Sequence, residues 1–320
     1  MKLTVACAAL ALVALNVGPA SASVPVEAKQ SDDRCVEGAK AAPINGKIRP
    51  GATASDPADL SAAQVASLEA RFQRLADKRD VHLRAEPEPI VIRTFVHILR
   101  RDNGTGGVTR RAVHRQMKAI NEGFAGMVPE GASTPFVFRL AADGIDNRRN
   151  TDWFNWSLYE DTDDREAKRA LHRGTLADLN IYIAKLGEGL LGYANFPGTV
   201  PLKRDGLVIL NGSMPGGSTE PYNEGDTATH EIGHWLQLFH TFQDGCTHPG
   251  DRVKDTPSQD DGRNIFYCRT RNDTCPAIRG YDPVRNFMSY GDDTCLNQFT
   301  DGQSRRMQRA WYTFRAPSAG

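Results

Sequence analysis

Three histidines and one glutamate in a short segment could bind a metal ion and activate water. His230, Glu231 and His234 form the pattern His-Glu-x-x-His, and His240 follows six residues after the second histidine. On an α-helix, residues four apart lie on one face, so the first two imidazoles can reach a single ion. This spacing predicts a zinc-peptidase site, in which zinc acidifies a water molecule and Glu231 accepts its proton.

Two other interpretations of this segment stay open at this point. The histidines could lie on the surface of an ordinary amphipathic helix, because Ile232, Trp235 and Phe239 could face a core. Alternatively, only His230 and His234 bind zinc, and a downstream carboxylate supplies the third ligand. The sequence around the segment has to discriminate between these interpretations and a site with three histidines.

The composition is that of a globular protein and argues against nucleic acid as a partner. The 320 residues carry 39 Lys and Arg against 39 Asp and Glu, which gives a formal net charge of zero. Hydrophobic residues make up 40% of the chain, close to the usual share of a globular protein. Because there is no basic excess, we predict no nucleic-acid partner.

The first 22 residues have the features of a secretory signal peptide. Lys2 precedes an apolar run over residues 3–17, and Ala20, Ser21 and Ala22 provide the small residues of a cleavage site. The apolar run is too short for a comfortable membrane span. We therefore predict a signal peptide at residues 1–22, a secreted protein, and no membrane attachment after the signal is removed.

Residues 23–87 are predicted to form a pro-segment. They are rich in Ala, Pro, Gly, Ser and charged residues, and their spacing predicts one helix, over residues 61–78. A segment of this composition could hardly bury a core of its own. The dibasic pair Lys78-Arg79 offers one cleavage point, and a flexible N-terminal extension is the alternative.

Residues 88–320 are predicted to form the catalytic domain. Runs of β-branched and aromatic residues predict strands over residues 89–99, 136–141, 179–184 and 207–210. Apolar residues at helical spacing predict helices over residues 109–123 and 165–172, and the metal-binding helix is expected to be capped by Asp226 or Thr227. This mixture predicts an α/β or α+β domain whose second long helix carries the metal.

The segment after His240 changes to turns, acidic residues and cysteines, and a last helix capped by Thr300 closes the chain. An exported protein would pair the four cysteines as two disulfides, and the sequence alone allows three connectivities. These cysteines are Cys246, Cys268, Cys275 and Cys295. So few regular elements call for such covalent support.

Together the zinc motif, the cysteine cluster and Asn286-Phe287-Met288-Ser289-Tyr290 resemble the pappalysin (cytophagalysin) family of metzincin zinc peptidases. The resemblance implies a metzincin-like fold. A twisted mixed sheet with two long helices above the cleft would form an upper subdomain, about residues 88–240. An irregular lower subdomain, about residues 241–320, would be stapled by disulfides and would end in a helix.

The same resemblance implies the roles of the zinc motif. It implies that His230, His234 and His240 hold the ion and that Glu231 acts first as general base and then as general acid. Three neutral imidazoles leave zinc a net dication with an open position, which lowers the pKa of water and polarises a scissile carbonyl.

Three other residues near the zinc motif also match family positions or depart from them. Met288 would support the site as the methionine of a tight turn, and Tyr290 would hydrogen-bond the metal site or the oxyanion, with a packed aromatic as the alternative. Metzincins usually have glycine where Gln237 stands, because the turn there needs a positive φ, which costs glutamine about 1–2 kcal/mol. A metzincin-fold binding or inhibitory protein that has lost turnover is therefore the alternative function.

Family analogy also implies two disulfides, Cys246–Cys275 and Cys268–Cys295. This pairing would clamp the loop over residues 251–257, where oxygen atoms could bind calcium. The candidate calcium ligands are Asp251, Val253 and Thr256, with Asp255 as an alternative. A solvated acidic turn is the alternative for this loop.

Cys35 and Thr294 bear on latency and specificity. Cys35 follows Arg34, as a propeptide cysteine follows arginine in several relatives, and a thiolate on zinc would keep a zymogen latent. An incidental or intermolecular cysteine is the alternative. Relatives that cut before Lys or Arg have an acidic residue just before the last cysteine, where Thr294 stands here. The resemblance therefore does not predict basic specificity.

The sequence as a whole predicts a secreted, zinc-dependent endopeptidase that is made as a latent zymogen. Its expected partners are protein or peptide substrates, and its expected ions are zinc at the catalytic site and calcium in the cysteine-rich loop.

Overall fold

A computed structural model describes residues 44–53, 60–83, 87–157, 162–260 and 262–317. The predicted signal peptide and Cys35 lie outside these ranges. Across the described ranges, no helix has both the length and the apolar character needed to cross a membrane.

A six-stranded mixed sheet lies at the centre of the described chain, in the order β1-β5-β6-β4-β2-β3. The pairs β2–β3, β2–β4 and β4–β6 are parallel, whereas β5–β6 and β1–β5 are antiparallel. The strands are β1 (Ile44–Ile48), β2 (Ile90–Arg100), β3 (Phe136–Arg149), β4 (Leu179–Ala184), β5 (Leu190–Asn195) and β6 (Leu207–Leu210).

Six α-helices within the described residues accompany the sheet, and the predicted mixed α/β class is confirmed. They are α1 (Ala62–Lys78), α2 (Arg110–Ala125), α3 (Thr151–Phe154), α4 (Thr162–Leu171), α5 (Asp226–Trp235) and α6 (Asp301–Ala310). Shorter 3-10 turns cover Leu202–Arg204, Asn211–Ser213 and Arg263–Phe266, and a π-helical segment covers Trp311–Arg315.

The main core lies where α2 and α5 contribute to one apolar cluster with the sheet. The α2 stripe of Val113, Met117, Ile120 and Phe124 is buried, as its helical spacing predicts. All six residues of β4 are buried, which is typical of a central parallel strand covered on both faces. This packing places α5, and with it the zinc motif, inside the protein.

Strand β5 is absent from the predictions because Gly192 interrupts its apolar pattern. An added Cβ at Gly192 would lie 3.1 Å from Glu231 Cγ and 3.0 Å from Thr227 Cγ2. The glycine therefore allows α5 to approach the sheet closely.

Helix α1, predicted within the pro-segment, forms as expected with Ser61 as its N-cap. It does not stand apart from the catalytic fold, because Phe72 is buried in a cluster with Ala76 and Ala310 of α6. The Glu69 carboxylate pairs with Arg306 of α6 at 2.6 Å. The segment that could not bury a core of its own thus packs on the C-terminal helix.

Candidate metal centre

Helix α5 begins at Asp226, and its N-cap is Gly225 in a left-handed conformation, with φ of 109°. The prediction that Asp226 or Thr227 caps this helix is therefore wrong. The free backbone amides are instead satisfied from a distance, because Asp293 Oδ2 accepts hydrogen bonds from the amides of Glu224 at 2.8 Å and Gly225 at 3.0 Å. The positive end of the helix dipole also favours a carboxylate at this position.

The zinc motif brings three imidazole nitrogens together. The Nε2 atoms of His230 and His234 lie 3.0 Å apart, and His240 Nε2 lies 3.2 and 3.1 Å from them. Within the described ranges this is the cluster of ligating side chains that could hold a metal ion, and no carboxylate belongs to it. The geometry therefore favours the interpretation with three histidines over the one with a carboxylate ligand.

The outer nitrogens of two rings determine what the inner nitrogens can do. His230 Nδ1 donates to the Phe287 carbonyl at 2.6 Å, and His234 Nδ1 donates to the Leu238 carbonyl at 2.8 Å. A neutral ring that donates from Nδ1 has a lone pair on Nε2, so two lone pairs face each other. A shared cation relieves that repulsion, and tetrahedral zinc at about 2.0–2.1 Å from nitrogen needs ligands roughly 3.3 Å apart. The residues thus fit zinc.

Burial keeps the three rings neutral and available as ligands. It lowers the pKa of His234 to about 3 and the pKa values of His230 and His240 well below the ordinary 6.5. The neighbouring imidazoles lower the pKa values of His230 and His240 further. At neutral pH the site therefore presents lone pairs and no positive charge of its own.

The turn after α5 delivers the third histidine despite its glutamine. Gln237 has a φ of 74°, the left-handed conformation that the family position requires. The amide of Leu238 donates to the Gly233 carbonyl at 2.9 Å, and the Gln237 carbonyl accepts from Arg306 Nε at 2.8 Å. Arg306 therefore holds the strained turn in place from α6.

Replacing Arg306 with alanine is expected to lower the free energy of unfolding by about 3 kcal/mol. The change removes the charged partner of the Glu69 carboxylate, which keeps a hydrogen bond from Gln73, and the donor to the Gln237 carbonyl. Losing one partner of a buried ion pair costs about 3–5 kcal/mol. Denaturant unfolding measures the effect. Arg305→Ala, an exposed position on the same helix, should unfold like the parent, and equal losses in both variants would contradict the role of Arg306.

Met288 lies directly against the metal-binding helix and is fully buried. An added Cβ at Gly233 would lie 2.3 Å from Met288 Sδ, so only glycine on this face of α5 leaves room for the thioether. The amide of Thr241 donates to the Met288 carbonyl at 3.2 Å. The methionine thus packs between the helix and the chain that follows His240.

Strand β1 lies across the centre in contact with both predicted catalytic residues. The Lys47 amide donates to Glu231 Oε1 at 3.0 Å, and the Tyr290 hydroxyl donates to the Gly46 carbonyl at 2.8 Å. The ring of Tyr290 packs on His240, with centroids 4.8 Å apart. Tyr290 is therefore both packed and hydrogen-bonded to a peptide in the cleft.

An acidic pocket beside the centre was not predicted from the sequence. Lys47 Nζ lies 3.7 Å from Asp293 Oδ1 and 5.4 Å from the centre of the Tyr222 ring, and both charged side chains are fully buried. Burial, followed by the charge of Asp293, raises the pKa of Asp226 well above its ordinary value. Asp293 lies one residue before Thr294, so the residue at the family position itself gives no sign of an acidic group.

The lower segment carries the predicted covalent links. The structure pairs Cys246 with Cys275 and Cys268 with Cys295, the same pairs that the family resemblance implies. The links connect loops between residues 246 and 295, where regular elements are short. They tie these loops to the segment that carries Met288 and Tyr290.

Among the candidate calcium ligands, Asp251 has the most informative surroundings. Its Oδ1 accepts from the Val253 amide at 2.9 Å, whereas its buried Oδ2 makes no hydrogen bond within the described residues. Burial raises the pKa of Asp251 to about 7, although the hydrogen bond from the Val253 amide and the charge of Arg306 lower it. Burial therefore outweighs these two favourable contacts in the net shift of the pKa.

Sequence comparison relates the chain to metallopeptidases. A family model described as pregnancy-associated plasma protein-A matches residues 163–311. An extracellular metalloprotease of Colletotrichum graminicola is 39% identical over 236 residues, which are 71% of this chain and 79% of that protein. Extracellular metalloprotease 1 of Coccidioides posadasii is 40% identical over 235 residues, with the same two coverages.

Structural comparison finds the same relationship. Mature mirolysin of Tannerella forsythia, in complex with a cleaved peptide, matches 72% of this chain and 100% of its own, with a TM-score of 0.60 and 28% identity. A promirolysin mutant of the same organism matches 80% of this chain and 90% of its own, with a TM-score of 0.63 and 26% identity.

Proposed function

The chain belongs to the pappalysin (pregnancy-associated plasma protein-A) family of metallopeptidases, and on that premise we propose that it is a secreted zinc endopeptidase made as a latent zymogen. One observation carries the proposal. Three converging imidazole nitrogens lie beside Glu231, whose carboxylate contacts a peptide amide in the cleft. Its substrates are proteins or peptides.

The proposed chemistry follows from which atoms of the cleft peptide are contacted. Zinc, when bound by the three histidines, supplies a Lewis acid that acidifies water and polarises a carbonyl. Glu231 takes a proton from the attacking water and returns it to the leaving nitrogen, as its contact with a peptide amide supports. The Tyr290 hydroxyl donates to the peptide carbonyl oxygen, where negative charge develops.

Secretion and latency are supported by separate features. The predicted signal peptide and the two disulfides fit an oxidising compartment, and the relatives are named extracellular metalloproteases. Latency is supported by strand β1, which fills the cleft next to Glu231. Cys35, outside the described residues, remains a predicted zinc ligand of the latent form.

Metal-dependent cleavage of a denatured protein tests the proposed function. The processed protein should degrade denatured casein, lose this activity in a zinc chelator, and regain it when zinc is restored. Fragments separated by electrophoresis and identified by mass would give the measure. Absence of cleavage, or cleavage that survives complete metal removal, would refute the proposal.

Calcium, proposed to bind beside Asp251, is expected to raise the melting temperature more at pH 8 than at pH 5. The folded-state pKa of Asp251 is about 7, while an unfolded Asp titrates near 3.9. As pH rises between these values, the unfolded chain loses this proton and the folded one keeps it. The free energy of unfolding then falls by roughly 4 kcal/mol up to pH 7, and a bound cation would offset that loss.

Melting curves at both pH values, with calcium or with magnesium as control, measure this effect. The Asp251→Asn variant has no carboxylate at this site to titrate or to bind the ion, so this pH dependence and the calcium response should both disappear. Calcium stabilisation that is equal at both pH values, or that persists in the variant, would contradict a site at Asp251.

A further inference from the structure

Strand β1 extends the sheet at the edge formed by β5. Adding a strand to a sheet edge is one way in which proteins bind extended peptides. The pairing is antiparallel, with Gly46 opposite Tyr193 and Lys47 opposite Gly192. The strand belongs to the same compact unit as the metal centre. A segment of the chain itself thus occupies the place of a peptide ligand.

The contacts of this strand single out one peptide bond. The carbonyl oxygen of Gly46 accepts from the Tyr290 hydroxyl at 2.8 Å. The nitrogen on the other side of the same bond, that of Lys47, lies 3.0 Å from Glu231 Oε1. Hydrolysis needs a donor at the carbonyl oxygen and a proton source at the leaving nitrogen, and the Gly46–Lys47 bond has both.

The side chain after this bond is held in the acidic pocket. Lys47 is fully buried, with its ammonium 3.7 Å from the Asp293 carboxylate and over the face of Tyr222. A buried lysine is stable only with such a partner, so the pocket recognises a basic side chain at this position. A shift of the strand by one residue would remove the lysine from it.

The residue before the bond also fits this register. An added Cβ at Gly46 would lie 2.5 Å from the Gly192 carbonyl oxygen and 3.0 Å from Tyr193 Cβ. A larger residue would push the strand away from β5. Glycine at one position and lysine at the next therefore fix which bond faces Glu231.

We propose that Gly46–Lys47 is the bond that the enzyme hydrolyses in its own chain, the step that opens its cleft; this rests on the proposed function. A water oxygen adds to the Gly46 carbonyl carbon as its proton passes to Glu231. The C–N bond then breaks, and Glu231 protonates the Lys47 nitrogen. The products are a carboxylate at Gly46 and an amine at Lys47, with no other reactant consumed.

The position of α1 supports a cut here rather than at Lys78-Arg79. Phe72 of α1 is buried, and the carboxylate of Glu69 pairs with Arg306, which in turn holds the Gln237 turn. A cut after α1 would cut this helix off from the catalytic domain. A cut at Gly46–Lys47 separates the residues before Lys47 from the metal centre and leaves α1 covalently attached.

The N-terminus formed by the full-length chain tests the proposal. The expected mature protein begins at Lys47, as read by N-terminal sequencing and intact mass. Lys47→Ala should slow this cut by about 10-fold or more, because the charged pocket is left without its partner. Arg49→Ala, the matched basic residue on an exposed position, should be cut within about twofold of the parent rate.

A second experiment measures whether strand β1 occupies this position when no cleavage takes place. Glu231→Gln keeps an oxygen acceptor for the Lys47 amide but should leave the chain uncut. In that chain an amine-acetylating reagent should modify exposed Lys118 and spare buried Lys47. Adding Gly46→Val should displace the strand and make Lys47 reactive.

The outcomes separate this proposal from the proposed function. A mature N-terminus other than Lys47, or acetylation of Lys47 as fast as Lys118 in the Glu231→Gln chain, would overturn the proposal. If that happens while the protein still degrades casein in a metal-dependent way, the proposed function stands. If the protein cuts neither itself nor casein, the proposed function fails with it.

Discussion

Glu231→Gln is expected to lower kcat on a denatured protein by about 10²- to 10⁴-fold, the usual contribution of a general acid–base group. The amide keeps the shape and the hydrogen-bond acceptor of the carboxylate but cannot take a proton from water. Because Glu231 is not among the clustered imidazoles, zinc content should stay at one ion per chain. Initial rates on a labelled substrate and metal analysis of the same sample measure both quantities.

The control for this variant is the same substitution at a glutamate outside the metal centre. Glu122→Gln removes a carboxylate that pairs with Lys118 on the exposed side of α2, and its kcat should match the parent. A Glu231→Gln protein that keeps a tenth or more of the parent kcat would contradict general acid–base catalysis by this residue. Loss of zinc together with activity would show that the carboxylate acts through metal retention.

His240→Ala is expected to weaken zinc binding by more than about 100-fold. Second-sphere partners of zinc ligands already contribute about 10–100-fold to affinity, and a direct ligand contributes more. The variant also leaves His230 and His234 as the remaining imidazoles, 3.0 Å apart at Nε2. Competition with a chromogenic chelator measures affinity, and casein cleavage at limiting zinc should fall in parallel.

This prediction separates the three-histidine site from the other interpretations. If only His230 and His234 bound zinc, His240→Ala would keep its affinity. His114→Ala, an exposed histidine on α2, is the matched control and should bind zinc like the parent. A parent protein that binds zinc tightly but cleaves nothing would instead support the binding or inhibitory alternative.

Strong periodic patterns predicted most of the upper part of the fold. The predictions for residues 179–184 and 207–210 match β4 and β6 in full, and the prediction for α2 is correct within two residues at each end. Helix α6 begins after Thr300, its predicted cap. These elements are buried on regular faces, so local sequence carries the information. Strand β3 continues to Arg149, well past the predicted end at residue 141, because pairing with β2 continues there.

The predictions failed where one element depends on a distant one. The cap of α5 comes from Asp293, which lies more than sixty residues further along the chain. Strand β1 exists because β5 offers it a free edge, and its own short sequence has no strong strand pattern. Tertiary contacts of this kind override local propensity.

The sequence by itself determined the candidate site residues of this protein, the three histidines and Glu231, while the family resemblance implied a positive φ at Gln237. The histidines and the glutamate follow from residue types at fixed short spacing, where helix geometry dictates which side chains meet. Only the tertiary structure decided what faces them. It brought the Gly46–Lys47 bond to Glu231 and Tyr290, across separations of 184 and 244 residues, and it brought Lys47 to Asp293. Sheet pairing and packing join such segments, which no local pattern relates.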